Sequence, residues 1–187
     1  MNTSSKPQII GVSGTFASGK DTVAAFLEHD FGYTHVSTGD IVRRVAMEKY
    51  GSLERPVLLR TADELRRSEG AGALALEALK ASRPLVITGV RSLGEAKTIQ
   101  QAGGVIVFVD APAEVRYERM RARARDNETV LTLEQFRANE EKEMYSGSTD
   151  ADFNIRGIGE LADVIVTNDG SLEDYKNTVY TKLGLAS

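Results

Sequence analysis

The residues best suited to chemistry stand in Gln8 to Thr22, QIIGVSGTFASGKDT, where a short apolar run meets a glycine-rich turn that ends in Gly19-Lys20 and opens a helix. Such a stretch grips phosphate. Gly14 and Gly19, with Ala17 and Ser18 between them, let the backbone curl until its N–H groups point inward. The helix that follows adds its positive N-terminal end, and Lys20 reaches the outer phosphates of a nucleotide such as ATP. The spacing is Gly14, four residues, Gly19, Lys20, that of a P-loop, with one departure: Asp21 stands where Ser or Thr normally binds magnesium. The hydroxyl could come from Thr22 or Ser18, or Asp21 could reach Mg2+ directly or through a water, since magnesium prefers hard oxygen ligands.

Arginines supply further cationic chemistry. Arg116, Arg119 and Arg123 recur at spacings of three and four, on one helical face, with Arg121 and Arg125 displaced from it. That density asks for an anion, although Glu114 and Glu118 offer an ordinary charge-paired surface instead. His29 and His35 are the only histidines, and nothing pairs them with a nucleophile or a metal set, so both read as structural or exposed.

These groups need a frame to hold them, and the hydropathy pattern predicts one. Ile9, Ile10 and Val12 suit a buried parallel strand, with Val23, Ala24, Phe26 and Leu27 at helical spacing after it. Tyr33 to Ser37 reads as a second strand, followed by a helix through IVRRVAMEKYG. Residues 57–82 read as helical with a break at Gly70 to Gly72. PLVITG is the third strand, Ser92 to Ala102 a helix and VIVFV the fourth strand, and Pro112 suits the first turn of the arginine-rich helix. Asp126 to Leu131 is turn-like, Thr132 with Gln135 caps a charged helix to Tyr145, and Ser146 to Gly159 reads as irregular loop. ADVIVTNDGSLEDYKNTVYTKL then gives a strand, a turn and a closing helix. Strands alternating with helices predict an α/β, three-layer fold with a five-stranded parallel sheet and ligands at the carboxyl ends of the strands. One domain over 1–187 is expected, with a helical acceptor-binding segment near 38–82 and a small lid near 125–150.

Composition narrows the partners. A net charge of −4 and a pI near 5.3 give no basic footprint, which argues against nucleic acid and leaves small anionic ligands. With no cysteine, disulfides and thiolate metal sites are excluded. No apolar run spans a bilayer and MNTSSKP is polar and short, so a cytoplasmic protein, monomer or homodimer, is expected.

Ser37-Thr38-Gly39-Asp40-Ile41-Val42-Arg43 resembles the STGDxxR segment of adenylate kinase and other nucleoside monophosphate kinases. The resemblance implies that Thr38 and Arg43 hold the acceptor nucleotide and that Asp40 holds a magnesium-bound water. It also implies that Arg91, ending Gly89-Val90-Arg91, grips the acceptor phosphate, and that Arg119 and Arg123 serve the adenine ring and the phosphates. The strand-three acid of those kinases is replaced here by Thr88. VDAPAEVRYERMRAR and ADVIVTNDGSLEDYK look like segments of dephospho-CoA kinase, which would place Asn168 and Gly170 beside the donor adenine. A third similarity covers nearly the whole chain: LRTADELRRSEG, ITGVRSLGEA and ADVIVTNDGSLE look like an archaeal group of uncharacterised kinase-like P-loop proteins.

The expected activity is transfer of the γ-phosphoryl group of ATP, with Mg2+, to a nucleoside or deoxynucleoside monophosphate. Phosphoryl transfer needs cations around the moving group and a carboxylate to place the metal. The alternatives are phosphorylation of the ribose hydroxyl of dephospho-CoA, with Asp40 as base, and a non-catalytic nucleotide sensor, which would have no use for an acceptor grip at Thr38, Arg43 and Arg91.

Overall fold

The central strand is the one that carries the glycine-rich loop. In the computed structural model, which describes residues 6–123, 131–145 and 147–185, β1 (Ile9–Gly14) lies between β3 (Leu85–Thr88) and β4 (Val105–Asp110). With β2 (Thr34–Ser37) and β5 (Val164–Thr167) at the edges, the five strands run parallel in the order β2-β3-β1-β4-β5. All of β1 is buried, and its side chains alternate between two cores as the strand period requires. Ile10 and Val12 face α1 (Lys20–Phe31) and α9 (Leu172–Lys182), packing with Val23, Leu27, Tyr175 and Val179. Ile9 faces the opposite layer, which includes Leu85, Ile99, Ile106 and Ile158.

That opposite layer contains α5 (Leu93–Gln101) and α8 (Ile155–Leu161), while α2 (Thr38–Tyr50), α3 (Arg55–Ser68) and α4 (Ala73–Ala78) form the helical segment between β2 and β3. After β4 come α6 (Ala113–Arg123) and α7 (Leu133–Met144). Pro112 immediately precedes α6, its carbonyl accepting from the Arg116 N–H.

Two expectations need correction. The break before α4 falls where the glycines predicted, but its helix ends at Ala78, well before Ser82. The stretch read as irregular up to Gly159 contains α8, begun by Asn154, whose Oδ1 accepts the Gly157 N–H at 2.8 Å. Gly157 and Gly159 lower helix propensity; tertiary contact overrides it. Ile158 is wholly buried against the sheet, and a Cβ on Gly159 would touch the Phe108 ring at 3.2 Å, so glycine lets this short helix lie close.

The seam between α1 and α9 carries a pH-sensitive cluster. Asp30 is bound by Lys176 at 2.7 Å and accepts the Tyr180 hydroxyl and a contact from His29. The Lys176, Tyr180 and His29 hydrogen bonds, in that order, hold its carboxyl well below its ordinary value of 3.8. A depressed folded-state value contributes stability that is present above the unfolded value and lost as the pH falls. Thermal unfolding of Asp30→Asn should therefore show a flatter loss of stability below pH 3.8 than the native protein; parallel curves would remove the cluster's role.

Candidate functional site: a phosphate loop braced from two sides

The loop after β1 is held in a curl that few sequences can adopt. Gly14 has φ 143°, and a Cβ there would lie 1.9 Å from the Val109 carbonyl oxygen, which accepts the Thr15 N–H at 3.2 Å. Gly19, at φ 103°, passes so close to Asn168 that a Cβ would meet its amide nitrogen at 2.5 Å. Ala17, at φ 58°, is left-handed as well, the one non-glycine residue with positive φ among the described residues. Backbone N–H groups turned inward by such a curl form an anion-binding concavity. At its mouth the Thr15 carbonyl accepts from Lys20 Nζ at 2.5 Å and from Ser18 Oγ at 2.8 Å.

Two distant segments brace the curl. Asn168, just after β5, donates its side-chain amide to the Ser18 carbonyl at 2.8 Å, and its own N–H to Asp110 at 2.8 Å. Arg119 donates to the carbonyl and side-chain oxygens of Asn168, both at 3.1 Å, and to the Ser18 carbonyl at 3.5 Å. The Tyr175 hydroxyl donates to Gly19 at 3.0 Å, and burial pushes that phenol far above its usual range. Arg119 and Asn168 thus meet at the loop, while Gly170 is exposed in the turn before α9. Arg119→Ala should weaken ATP binding about tenfold, some 1.4 kcal/mol, with a stability loss of about 1 kcal/mol for the hydrogen bonds removed. Calorimetric titration checks the first and thermal unfolding the second.

The other arginines of that face behave differently. Arg116 is buried, donating to the Ala111 carbonyl at 2.7 Å and pairing with Glu140 of α7, with Asp110 3.8 Å away. Burial lowers its proton affinity, against the pull of Asp110 and Glu114. It ties α6 to α7 beneath the surface, so the shared face found by spacing does not mean a shared task. The Arg123 side chain and all of Arg125 lie outside the described residues.

Opposite the loop stand the residues expected to hold an acceptor. Thr38 is buried and donates its hydroxyl to Gly89 at 2.8 Å, joining the start of α2 to the end of β3. Asp40 and Arg43 pair with each other on the exposed face of α2. Asp21 is exposed and Thr22 half-buried in the first turn of α1. Thr88, in place of an acid, is hydrogen bonded at 2.8 Å to His35 Nε2, so that histidine has a structural partner at the strand end. Asp21 and Asp40 stand on different elements, α1 and α2, and no group of three or more acidic or histidine side chains that could hold a metal forms among the described residues. Asp110 does reach the loop, accepting the Thr15 hydroxyl at 2.7 Å.

A cleft runs between these halves. Lys20 and Thr15 line one wall, Gly89 and Arg91 another, and Glu140, Met144 and Phe153 close the third. Phe16, half-exposed at the loop tip, meets the buried Phe136 of α7 at a ring separation of 6.2 Å. Sequence reasoning missed Glu140 and Phe153. Phe136, Glu140 and Met144 recur every four residues, a helical stripe that marks the inner face of α7; Phe153 had no such signal.

A Gly-Lys loop on the middle strand of a parallel β2-β3-β1-β4-β5 sheet defines a P-loop, kinase-like fold. Solved structures share it over nearly their full length. The Thermus thermophilus protein TT1252 is 25% identical with a TM-score of 0.59, covering 97% of this chain and 99% of that one. Shikimate kinase from Aquifex aeolicus, 20% identical with a TM-score of 0.59, covers 94% and 96%. Gluconokinase from Sinorhizobium meliloti, 21% identical with a TM-score of 0.54, covers 95% and 92%. A family model described as an AAA domain matches residues 10–145. The UPF0200 protein of Thermococcus kodakarensis is 34% identical over 182 residues, 91% of this chain and 94% of that relative; that of Pyrobaculum aerophilum is 31% identical over 177 residues, with the same shares. The chain belongs to the UPF0200 family of AAA-domain P-loop proteins.

Proposed function

We propose that this protein transfers the γ-phosphoryl group of ATP to a small nucleotide, a nucleoside or deoxynucleoside monophosphate. The observation that carries the reading is one cleft lined by both Lys20 and Arg91, a donor grip facing an acceptor cation. The loop amides and Lys20 hold the donor phosphates, with Arg119 and Asn168 keeping the loop curled. Thr38, Arg43 and Arg91 hold the acceptor, and α7, docked on the loop through Phe16 and Phe136, excludes water as the lid. Arg123 is assigned to the transferring phosphates.

The donor set fits magnesium, which needs only one or two carboxylates beside substrate phosphates and water. Asp21 and Thr22 follow Lys20, Asp110 reaches Thr15, and Asp40 stands on α2 beside Arg43. Magnesium, when bound, would neutralise charge developing on the phosphates.

A second reading rests on Glu140. A phosphate acceptor needs no strong base, but a hydroxyl acceptor does; Glu140 lines the cleft, and its carboxylate is paired with Arg116 as that of Asp40 is with Arg43. A hydroxyl acceptor such as dephospho-CoA would require Glu140 to leave Arg116 and serve as its base. One assay separates the readings: ATP consumption with Mg2+ against nucleoside monophosphates, their deoxy forms, dephospho-CoA, shikimate and gluconate, with products identified by mass spectrometry. Transfer to a monophosphate supports the first reading, transfer to a hydroxyl the second. ATP binding with no acceptor product would leave a nucleotide sensor and end both.

A further inference from the structure

Behind Arg91 lies an ion pair with no surface. Glu95 of α5 is 0% exposed and Arg66 of α3 is 4% exposed, and they meet from helices separated by the whole of β3 and α4. A buried pair of this kind gives little net stability over apolar residues of the same size, because desolvating both charges offsets their attraction. Its geometry suggests another task.

The two oxygens of Glu95 divide their work. Oε1 accepts Arg66 Nε at 2.9 Å, and Arg66 Nη2 lies 2.8 Å from it as an ion pair. Oε2 accepts two backbone amides, Arg91 N–H at 2.8 Å and Ser92 N–H at 3.3 Å. Three hydrogen bonds and one further guanidinium contact thus occupy both oxygens of the carboxylate. The other peptide group of Arg91 is fixed as well: its carbonyl accepts the Asn154 N–H at 2.9 Å. Phe153, next to Asn154, lies under both guanidinium groups, 5.0 Å from that of Arg66 and 5.6 Å from that of Arg91. Among the described residues no carboxylate pairs with the Arg91 side chain, which lines the cleft.

We propose that Glu95 and Arg66 are positioning residues for Arg91, holding its backbone and the ring beneath it so that its guanidinium meets an acceptor phosphate in a fixed place. The proposal rests on the reading of Arg91 as the acceptor grip. Arg66 keeps Glu95 aimed; Glu95 holds the turn; Phe153, stacked by Arg66, supports the side chain. Glu95→Gln is the sharp test, because an amide offers one acceptor oxygen and one donor nitrogen. Whichever way it turns, its N–H group faces either the guanidinium or the two amides, donor against donor.

The experiment follows the Arg91 Nε–H signal by nuclear magnetic resonance, assigned by its loss in Arg91→Lys, as inorganic phosphate is added to the full chain. The Gly19 amide in the same sample reports the P-loop. Glu95→Gln should weaken the phosphate response at Arg91 at least fivefold while that at Gly19 stays within twofold, and Arg66→Lys should do the same to a lesser degree. Arg66→Lys, which keeps the charge, also carries the test if Glu95→Gln does not fold. Equal responses in native and variant proteins, or equal weakening at both probes, would overturn the positioning role alone. A Gly19 response with none at Arg91 in the native protein would remove the acceptor grip itself, and the inference with it.

Discussion

Lys20→Ala should leave the fold intact and cut phosphoryl transfer by about 10²–10³-fold, the usual cost of removing one preorganised charge from the transferring group. That factor is about 3–4 kcal/mol of transition-state stabilisation. The fold should survive because Lys20 is the first residue of α1, half-buried, with its ammonium on the loop's own Thr15 carbonyl and not in either core. The loss should appear with every acceptor, since the donor phosphates are common to all. Steady-state rates beside a melting curve decide it: a folded variant that transfers within tenfold of the native rate would remove Lys20 from the chemistry. A variant that binds ATP normally but transfers poorly would place its contribution in the transition state alone.

Gly14→Ala should be destabilising by about 3 kcal/mol or more and should abolish ATP binding, two effects with one cause. Its φ of 143° is strained for any residue with a side chain, and the added methyl would sit 1.9 Å from the Val109 oxygen. That oxygen belongs to the neighbouring strand and also accepts the Thr15 N–H, so it cannot withdraw without breaking the start of the curl. For a chain of this size such a loss lowers the melting temperature by roughly 6–12 °C. Gly32→Ala is the fitting control, because that helix-terminal glycine has positive φ but nothing within 4 Å of its Cβ position. Equal melting shifts in the two variants would show that dihedral strain alone, without the Val109 contact, sets the cost.

Much of this was readable before any coordinates. The strand-loop-helix order around Lys20 needs only local pattern, and the five strands followed from short apolar runs between turn residues. Arg119 and Asn168 could be singled out because their segments carry family-like motifs that fall at strand ends, and the structure brings both to the loop. What escaped reading depends on how helices cross. Ser92 and Glu95 form a visible capping signature, but nothing local reveals that Glu95 is also met by Arg66 from another helix. Arg116 and Arg119 share a helical face, yet one is buried by α7 and the other reaches the loop, a division set by where α7 docks. Helix α8 was hidden by its own glycines, of which Gly159 lets the backbone come near Phe108.

The bracing of the loop has a consequence for the order in which the protein matures. Ser18 and Gly19 are translated early, but the amide that holds one carbonyl is 150 residues further on, and the phenol that holds the other is 156 residues away. While the ribosome is still adding β5 and α9, the glycine-rich turn has its strand neighbours β3 and β4 but lacks both clasps. A nascent chain that stops before Asn168 therefore has the glycine-rich turn and its neighbouring strands but neither clasp that fixes the curl.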